Sequence, residues 1–162
     1  YKREYGLNSC TLIPVNLYGP HDNFDLATAH VMPALVRKFV EAKDRGEPTV
    51  TVWGTGKASR EFLYITDAAE GLLAGAEQVE DPSPINLGSG VETPIAELVK
   101  HIAAEVGFQG EIQWDTTQPD GQPRRCLSTE RSKAELGWEA RVPLAQGIRR
   151  TVGYYRSAKN DG

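Results

Sequence analysis

The chain has 162 residues, 40% of them hydrophobic, which suits one globular domain with a real core. Its 18 basic and 22 acidic residues give a net charge of -4 with no basic stripe, which argues against nucleic acid as a partner and leaves anion recognition to local sites. No apolar run reaches a membrane span and Tyr1-Lys2-Arg3-Glu4 lacks signal-peptide order, so a soluble, cytoplasmic protein is expected, with no membrane partner. Cys10 and Cys126 lack a Cys-x-x-Cys neighbour, which predicts reduced thiols and no metal site.

Residues 1–6 read as a helix end capped by Gly6, and with no initiator Met the chain looks truncated at its start. Residues 10–15 form an apolar run that reads as a strand buried on both faces, followed abruptly by a polar loop, Asn16-Leu17-Tyr18-Gly19-Pro20-His21-Asp22-Asn23-Phe24. Such strand-to-helix loops are where open α/β sheets place ligands. Val31, Leu35, Val36, Phe39 and Val40 then carry a helical stripe that stops at Gly46, with Pro33 tolerable only near the helix start. Strands follow at residues 49–53 and 62–65, a helix runs from Asp67 to about Gln78, and another strand occupies residues 85–87. Thr93 and Pro94 read as N-cap and first residue of a helix ending at Gly107. A strand near residues 111–114, a polar loop over 115–125, a short helix between Thr129 and Gly137, and a last helix opened by Pro143 complete the pattern. Alternating strands and helices make the fold class α/β, with no linker legible in the composition.

Two short motifs invite a functional reading that their context weakens. Tyr155 and Lys159 have the Tyr-x-x-x-Lys spacing of short-chain dehydrogenases, but they lie at the frayed chain end, where a dry hydride-transfer site is not expected. Gly88-Ser89-Gly90 follows a strand and imitates a dinucleotide fingerprint, yet Thr93 stands where the third glycine belongs, so a tight turn is the plainer reading.

Four separated segments point elsewhere. Pro14-Val15-Asn16-Leu17-Tyr18-Gly19-Pro20-His21-Asp22-Asn23-Phe24, Ala29-His30-Val31-Met32-Pro33-Ala34-Leu35, Val52-Trp53-Gly54-Thr55-Gly56 with Ser59-Arg60-Glu61-Phe62-Leu63, and Pro119-Asp120-Gly121-Gln122-Pro123-Arg124 closely resemble the GDP-L-fucose synthases, extended short-chain dehydrogenases. The resemblance implies that residues 1–162 are a C-terminal substrate-binding portion containing late elements of a Rossmann-type NAD(P)-binding sheet and a small α/β substrate domain. The N-terminal cofactor half of that family, with its glycine-rich loop, catalytic Tyr and Lys and catalytic Cys, is absent from this sequence. Neither Cys10 nor Cys126 takes the place of that cysteine.

The family reaction inverts the two carbons beside the ketone of GDP-4-dehydro-6-deoxy-D-mannose and then reduces the ketone with NADPH, giving GDP-L-fucose. Inversion needs a proton removed on one face and another delivered on the opposite face. By this resemblance His30 is the acid, since an imidazole can give and take a proton near neutral pH. Pro14, Val15, Asn16 and Leu17 are expected to line the nicotinamide side of NADP(H), with His30 touching the cofactor as well. Lys38, Trp53, Arg60 and Asp120 match the family's GDP-sugar contacts. Lys38 stands where other members carry Arg and lacks the planar fork that holds phosphate oxygens in pairs. Arg60 is the better diphosphate clamp, against the alternative of a surface ion pair with Glu61 or Asp67. Trp53 is a ligand platform or a core residue, and Asp120 is either an acceptor for ribose or base or a turn residue.

The expected function is therefore the GDP-sugar-binding part of an NADPH-dependent 3,5-epimerase/4-reductase, inactive by itself and a homodimer when whole. Its rivals are another nucleotide-sugar epimerase or dehydratase on the same scaffold, and a non-catalytic sugar-nucleotide-binding module.

Overall fold

In the computed structural model of the protein, residues 2–79 and 81–160 are described. Tyr1, to which the truncated start was read, lies outside them. The elements are α1 (Lys2–Tyr5), β1 (Leu12–Pro14), β2 (Asn16–Tyr18), α2 (Val31–Arg45), β3 (Thr49–Trp53), β4 (Ser59–Tyr64), α3 (Ile65–Gln78), β5 (Ile85–Leu87), β6 (Glu92–Pro94), α4 (Ile95–Val106), β7 (Glu111–Asp115), β8 (Arg124–Arg125), α5 (Glu130–Leu136) and α6 (Leu144–Asn160). The α/β alternation is as expected, and α2, α4 and α5 stop at Gly46, Gly107 and Gly137. The chain divides into two compact units, one of Tyr1–Leu17, Glu61–Glu92 and Cys126–Val142, the other of Tyr18–Arg60, Thr93–Arg125 and Pro143–Gly162.

In the first unit β1 pairs in parallel with β5, placing Leu12 opposite Ile85 and Pro14 opposite Leu87. Its core gathers Val15, Leu63, Ala68, Ile85, Leu87, Leu136 and Trp138. The indole N–H of Trp138 donates to the Asp67 carbonyl at 3.1 Å, so a large apolar ring is buried without orphaning its polar atom. The Asp67 carboxylate is buried too and accepts the backbone N–H groups of Arg141 and Val142 at 3.0 and 2.8 Å. The expected strand over residues 10–15, buried on both faces, is not what forms. The chain breaks into β1 and β2 with Val15 between them, and Thr11 and Ile13 are exposed while Leu12 is half-buried, because α3 packs against β1 from one side.

In the second unit β3 pairs in parallel with β7 over five residues, from Thr49 opposite Glu111 to Trp53 opposite Asp115. Helices α2, α4 and α6 pack on one another, and α2 also lies against β3. The apolar stripe of α2 delivers Met32, Leu35, Val36, Phe39 and Val40 to this core, where Phe39 meets Phe108 edge to face at 5.4 Å. Thr93 does not cap α4. It is a buried residue of β6, and Pro94 takes the N-cap position, so the local Thr-Pro signal loses to strand formation. Helix α3 starts two residues before Asp67, and β4 begins at Ser59, ahead of the expected apolar run.

Candidate functional site

The sequence-predicted residues fall into two groups, one in each unit. Pro14, Val15, Asn16 and Leu17 belong to the first. There the Val15 N–H is used by the Leu87 carbonyl at 3.0 Å, and the Asn16 side chain donates its N–H to the Glu61 carbonyl at 2.8 Å. That bond fixes the amide and leaves its Oδ1 as an acceptor, the atom that a ligand carboxamide NH₂ requires.

His30, Lys38, Trp53, Arg60 and Asp120 belong to the second unit. His30 is the N-cap of α2, in extended backbone, with its carbonyl accepting the Ala34 N–H at 3.1 Å. Its side chain makes no capping bond and is exposed, so the ring is presented at the helix start rather than consumed by the fold. Pro33, three residues on, needs no N–H partner in this first turn.

Next to His30 opens a cavity of about 450 Å³ whose walls include Leu26, Ala29, Val31, Leu35, Lys38, Val52, Trp53 and Ile95. A smaller one of about 190 Å³ shares Val31, Trp53 and Ile95 and adds Gly56, Ala58, Arg60, Pro119 and Asp120. The shared walls make one cleft with an apolar lobe and a polar lobe. Trp53 stands between them, 63% exposed at the end of β3, which excludes the core reading. The Lys38 ammonium lies 5.4 Å from the indole centroid and donates to the Thr51 carbonyl at 3.2 Å. Burial of this ammonium lowers its pKa below that of a free lysine.

Arg60 and Asp120 form the polar lobe as parts of one loop assembly. The guanidinium of Arg60 donates to the carbonyls of Ser59 at 2.7 Å, Gln122 at 2.6 Å and Asp120 at 3.4 Å. These acceptors are uncharged, so the ion-pair alternative for Arg60 does not hold, and its positive charge stays on the cleft wall. Strand β8, absent from the sequence reading, pairs with β4 in parallel, with Ser59 opposite Arg124 and Arg60 opposite Arg125. The Asp120 carboxylate accepts the Thr55 N–H and the Thr55 hydroxyl, each at 2.6 Å. The Thr55 hydroxyl first, and then the Thr55 N–H, hold that carboxyl below its usual range.

The two decoy motifs resolve structurally. The Tyr155 hydroxyl donates to Glu41 at 2.9 Å and Lys159 pairs with Asp44 at 2.9 Å, so both residues tie α6 to α2. In the Gly88-Ser89-Gly90 turn the Gly90 N–H donates to the fully buried Glu61 carboxylate at 2.6 Å, and the Leu127 N–H adds 2.8 Å. An internal anion occupies the amide cradle that a cofactor phosphate would need. The apolar cleft residues Leu26, Val52 and Ile95 were not singled out from the sequence, and Thr55 was visible there only as the variable position between two glycines.

The chain resembles known proteins along nearly its whole length. It is 40% identical over 155 residues to a probable GDP-L-fucose synthase 1 of Oryza sativa subsp. japonica, covering 96% of this chain and 47% of that protein. A crystal structure of a GDP-L-fucose synthetase from Naegleria fowleri, also solved bound to NADP, superimposes with a TM-score of 0.87 at 32% identity over 93% of this chain and 47% of that one. UDP-glucose 4-epimerase from Thermotoga maritima superimposes with a TM-score of 0.86 at 28% identity, over 98% of this chain and 49% of that one. The chain thus spans about half the length of the relatives it matches, and its fold is the Rossmann-like α/β fold of the extended short-chain dehydrogenases. Residues 1–88 match the model of the NAD dependent epimerase/dehydratase family, and the chain belongs to that family.

Proposed function

We propose that residues 1–162 are the GDP-sugar-binding portion of an NADPH-dependent 3,5-epimerase/4-reductase that converts GDP-4-dehydro-6-deoxy-D-mannose to GDP-L-fucose. The observation that carries this reading is the two-lobed cleft joined at Trp53. Apolar walls and an exposed indole suit a planar base or the apolar face of a hexose, and the donors of Arg60 suit diphosphate oxygens. Lys38 adds a second cation on the same helix as His30, about 12 Å of rise further along.

His30 exchanges protons with the carbons flanking the ketone, from the open start of α2. Pro14, Val15, Asn16 and Leu17 would line the nicotinamide, where the Asn16 Oδ1 can accept from its carboxamide, and the family match assigns His30 a cofactor contact as well. When bound, NADPH supplies the hydride for the ketone, and the proton donor for the resulting oxygen belongs to another part of the enzyme. The whole enzyme is a cytoplasmic homodimer that uses neither nucleic acid nor membrane as partner; the homodimer is what the resemblance to the GDP-L-fucose synthases implies, and the acidic charge balance fits the lack of a nucleic-acid partner.

The test is competition among GDP-, UDP- and dTDP-sugars for the protein expressed from its complete reading frame. GDP-sugar preference is expected. A uridine or thymidine preference would transfer the assignment to another nucleotide-sugar epimerase or dehydratase, a reading kept open by the similarity to UDP-glucose 4-epimerase.

A further inference from the structure

The Trp53-Gly54-Thr55-Gly56 turn and the loop of residues 119–122 are joined at a single point. Both oxygens of the Asp120 carboxylate are engaged by Thr55, one by its N–H and one by its hydroxyl, at 2.6 Å each. The approach is built into the backbone, since Gly54 has φ +83° and a Cβ there would collide with the Asp120 carboxylate. On the other side of the loop, Gly121 has φ +71° and leaves room for the Arg60 guanidinium, which holds the carbonyls of Asp120 and Gln122. Loop and guanidinium therefore fix each other, and Thr55 fixes the loop.

We propose that Thr55 is a positioning residue for sugar-nucleotide binding: through the Asp120 carboxylate it latches the 119–122 loop, and the latched loop aims Arg60 into the polar lobe. This rests on the proposed GDP-sugar site. It gives the Asp120 carboxylate a latching task beside the GDP-sugar contact that the family match implies, since each of its oxygens keeps a lone pair beyond the one Thr55 engages, and it gives the residue between the two glycines a task that serine, but not valine, can perform.

The test uses the complete enzyme and the variants Thr55→Val, Thr55→Ser, Asp120→Ala and the Val/Ala double. With GDP-4-dehydro-6-deoxy-D-mannose and NADPH, Thr55→Val should raise KM by about tenfold with kcat within about twofold, the loss of one charge-assisted hydrogen bond. Thr55→Ser should restore the wild-type KM, and the double variant should bind no worse than Asp120→Ala alone. Costs that multiply in the double variant would mean that Thr55 acts independently of Asp120 and would overturn the latch. So would a wild-type KM in Thr55→Val, a Thr55→Ser as poor as Thr55→Val, or loss of NADPH affinity in Thr55→Val.

Hydrogen exchange over residues 116–125, read without substrate, separates this inference from the function it rests on. Faster exchange in Thr55→Val than in wild type or Thr55→Ser supports the latch even if the wild-type enzyme turns over a different nucleotide sugar. Unchanged exchange removes the latch whatever the substrate proves to be.

Discussion

The buried carboxylate of Glu61 accepts the N–H of Gly90 at 2.6 Å, so a turn that resembles a phosphate-binding loop is filled by the protein's own anion. The second oxygen takes the Leu127 N–H at 2.8 Å, which ties three distant segments of one unit together. Glu61→Ala removes the acceptor shared by the Gly90 and Leu127 N–H groups and leaves a hole where a fully buried side chain stood, and Glu61→Gln points an amide NH₂ at one of those donors. Each variant is expected to lose about 2–4 kcal/mol in urea unfolding. Gly88→Ala is expected to destabilise as well, because its Cβ would meet the Glu61 carboxylate. Stability within about 0.5 kcal/mol of wild type for Glu61→Gln would contradict this role.

Tyr155 is pushed up to about 12, first by burial and then by its hydrogen bond to Glu41. Burial alone would raise Glu41, but the Tyr155 hydroxyl together with Arg37 and Arg45 outweighs it and holds this carboxyl below its ordinary value. Because the folded-state value of Tyr155 lies above the 10.0 of a free phenol, its contribution is complete below that pH and disappears as the pH climbs through about 12. Tyr155→Phe should cost about 1 kcal/mol at neutral pH. Absorbance titration at tyrosine wavelengths should show the variant lacking the most alkaline step of the wild type.

In the proposed GDP-sugar site the charge of Lys38 bears on ligand binding directly. Burial lowers its pKa, so the ammonium is lost at a pH below the 10.5 of a free lysine. The KM of the complete enzyme for its GDP-sugar should therefore rise on an alkaline limb below that value. Lys38→Arg should move the limb upward while keeping the neutral-pH KM within a few-fold, and Lys38→Met should abolish the limb and raise KM about tenfold at neutral pH. A pH profile of KM that is identical in all three proteins would exclude Lys38 from the site.

Much of this was legible in the sequence because it rested on local signals. The apolar stripe of α2, its stop at Gly46 and the strand over residues 49–53 are set by neighbouring residues and form as read. What escaped depends on distant partners. Thr93 looked like a helix cap until β6 claimed it, and the pairing of β8 with β4 joins residues more than sixty positions apart. The unit boundary was invisible for a physical reason. Three of the crossings, after Leu17, Arg60 and Glu92, fall inside β2, β4 and β6, where no linker composition is needed. Among the candidate site residues, Trp53 is equally readable as core, and its exposure removes that alternative. Asp120 is readable as an acceptor, and no local pattern could reveal that Thr55, sixty-five residues away, donates to both its oxygens.

His30 is the residue on which the proposed epimerisation turns, and its exposed ring at the start of α2 is used by no capping bond. The most direct measurement is deuterium incorporation at C-3 and C-5 of the sugar when the complete enzyme is incubated in deuterated water, comparing wild type with His30→Gln while NADPH affinity is followed in parallel. Exchange at both carbons in the wild type, its loss in the variant and an NADPH affinity largely unchanged are the predicted results. Wild-type exchange in His30→Gln would contradict the assignment.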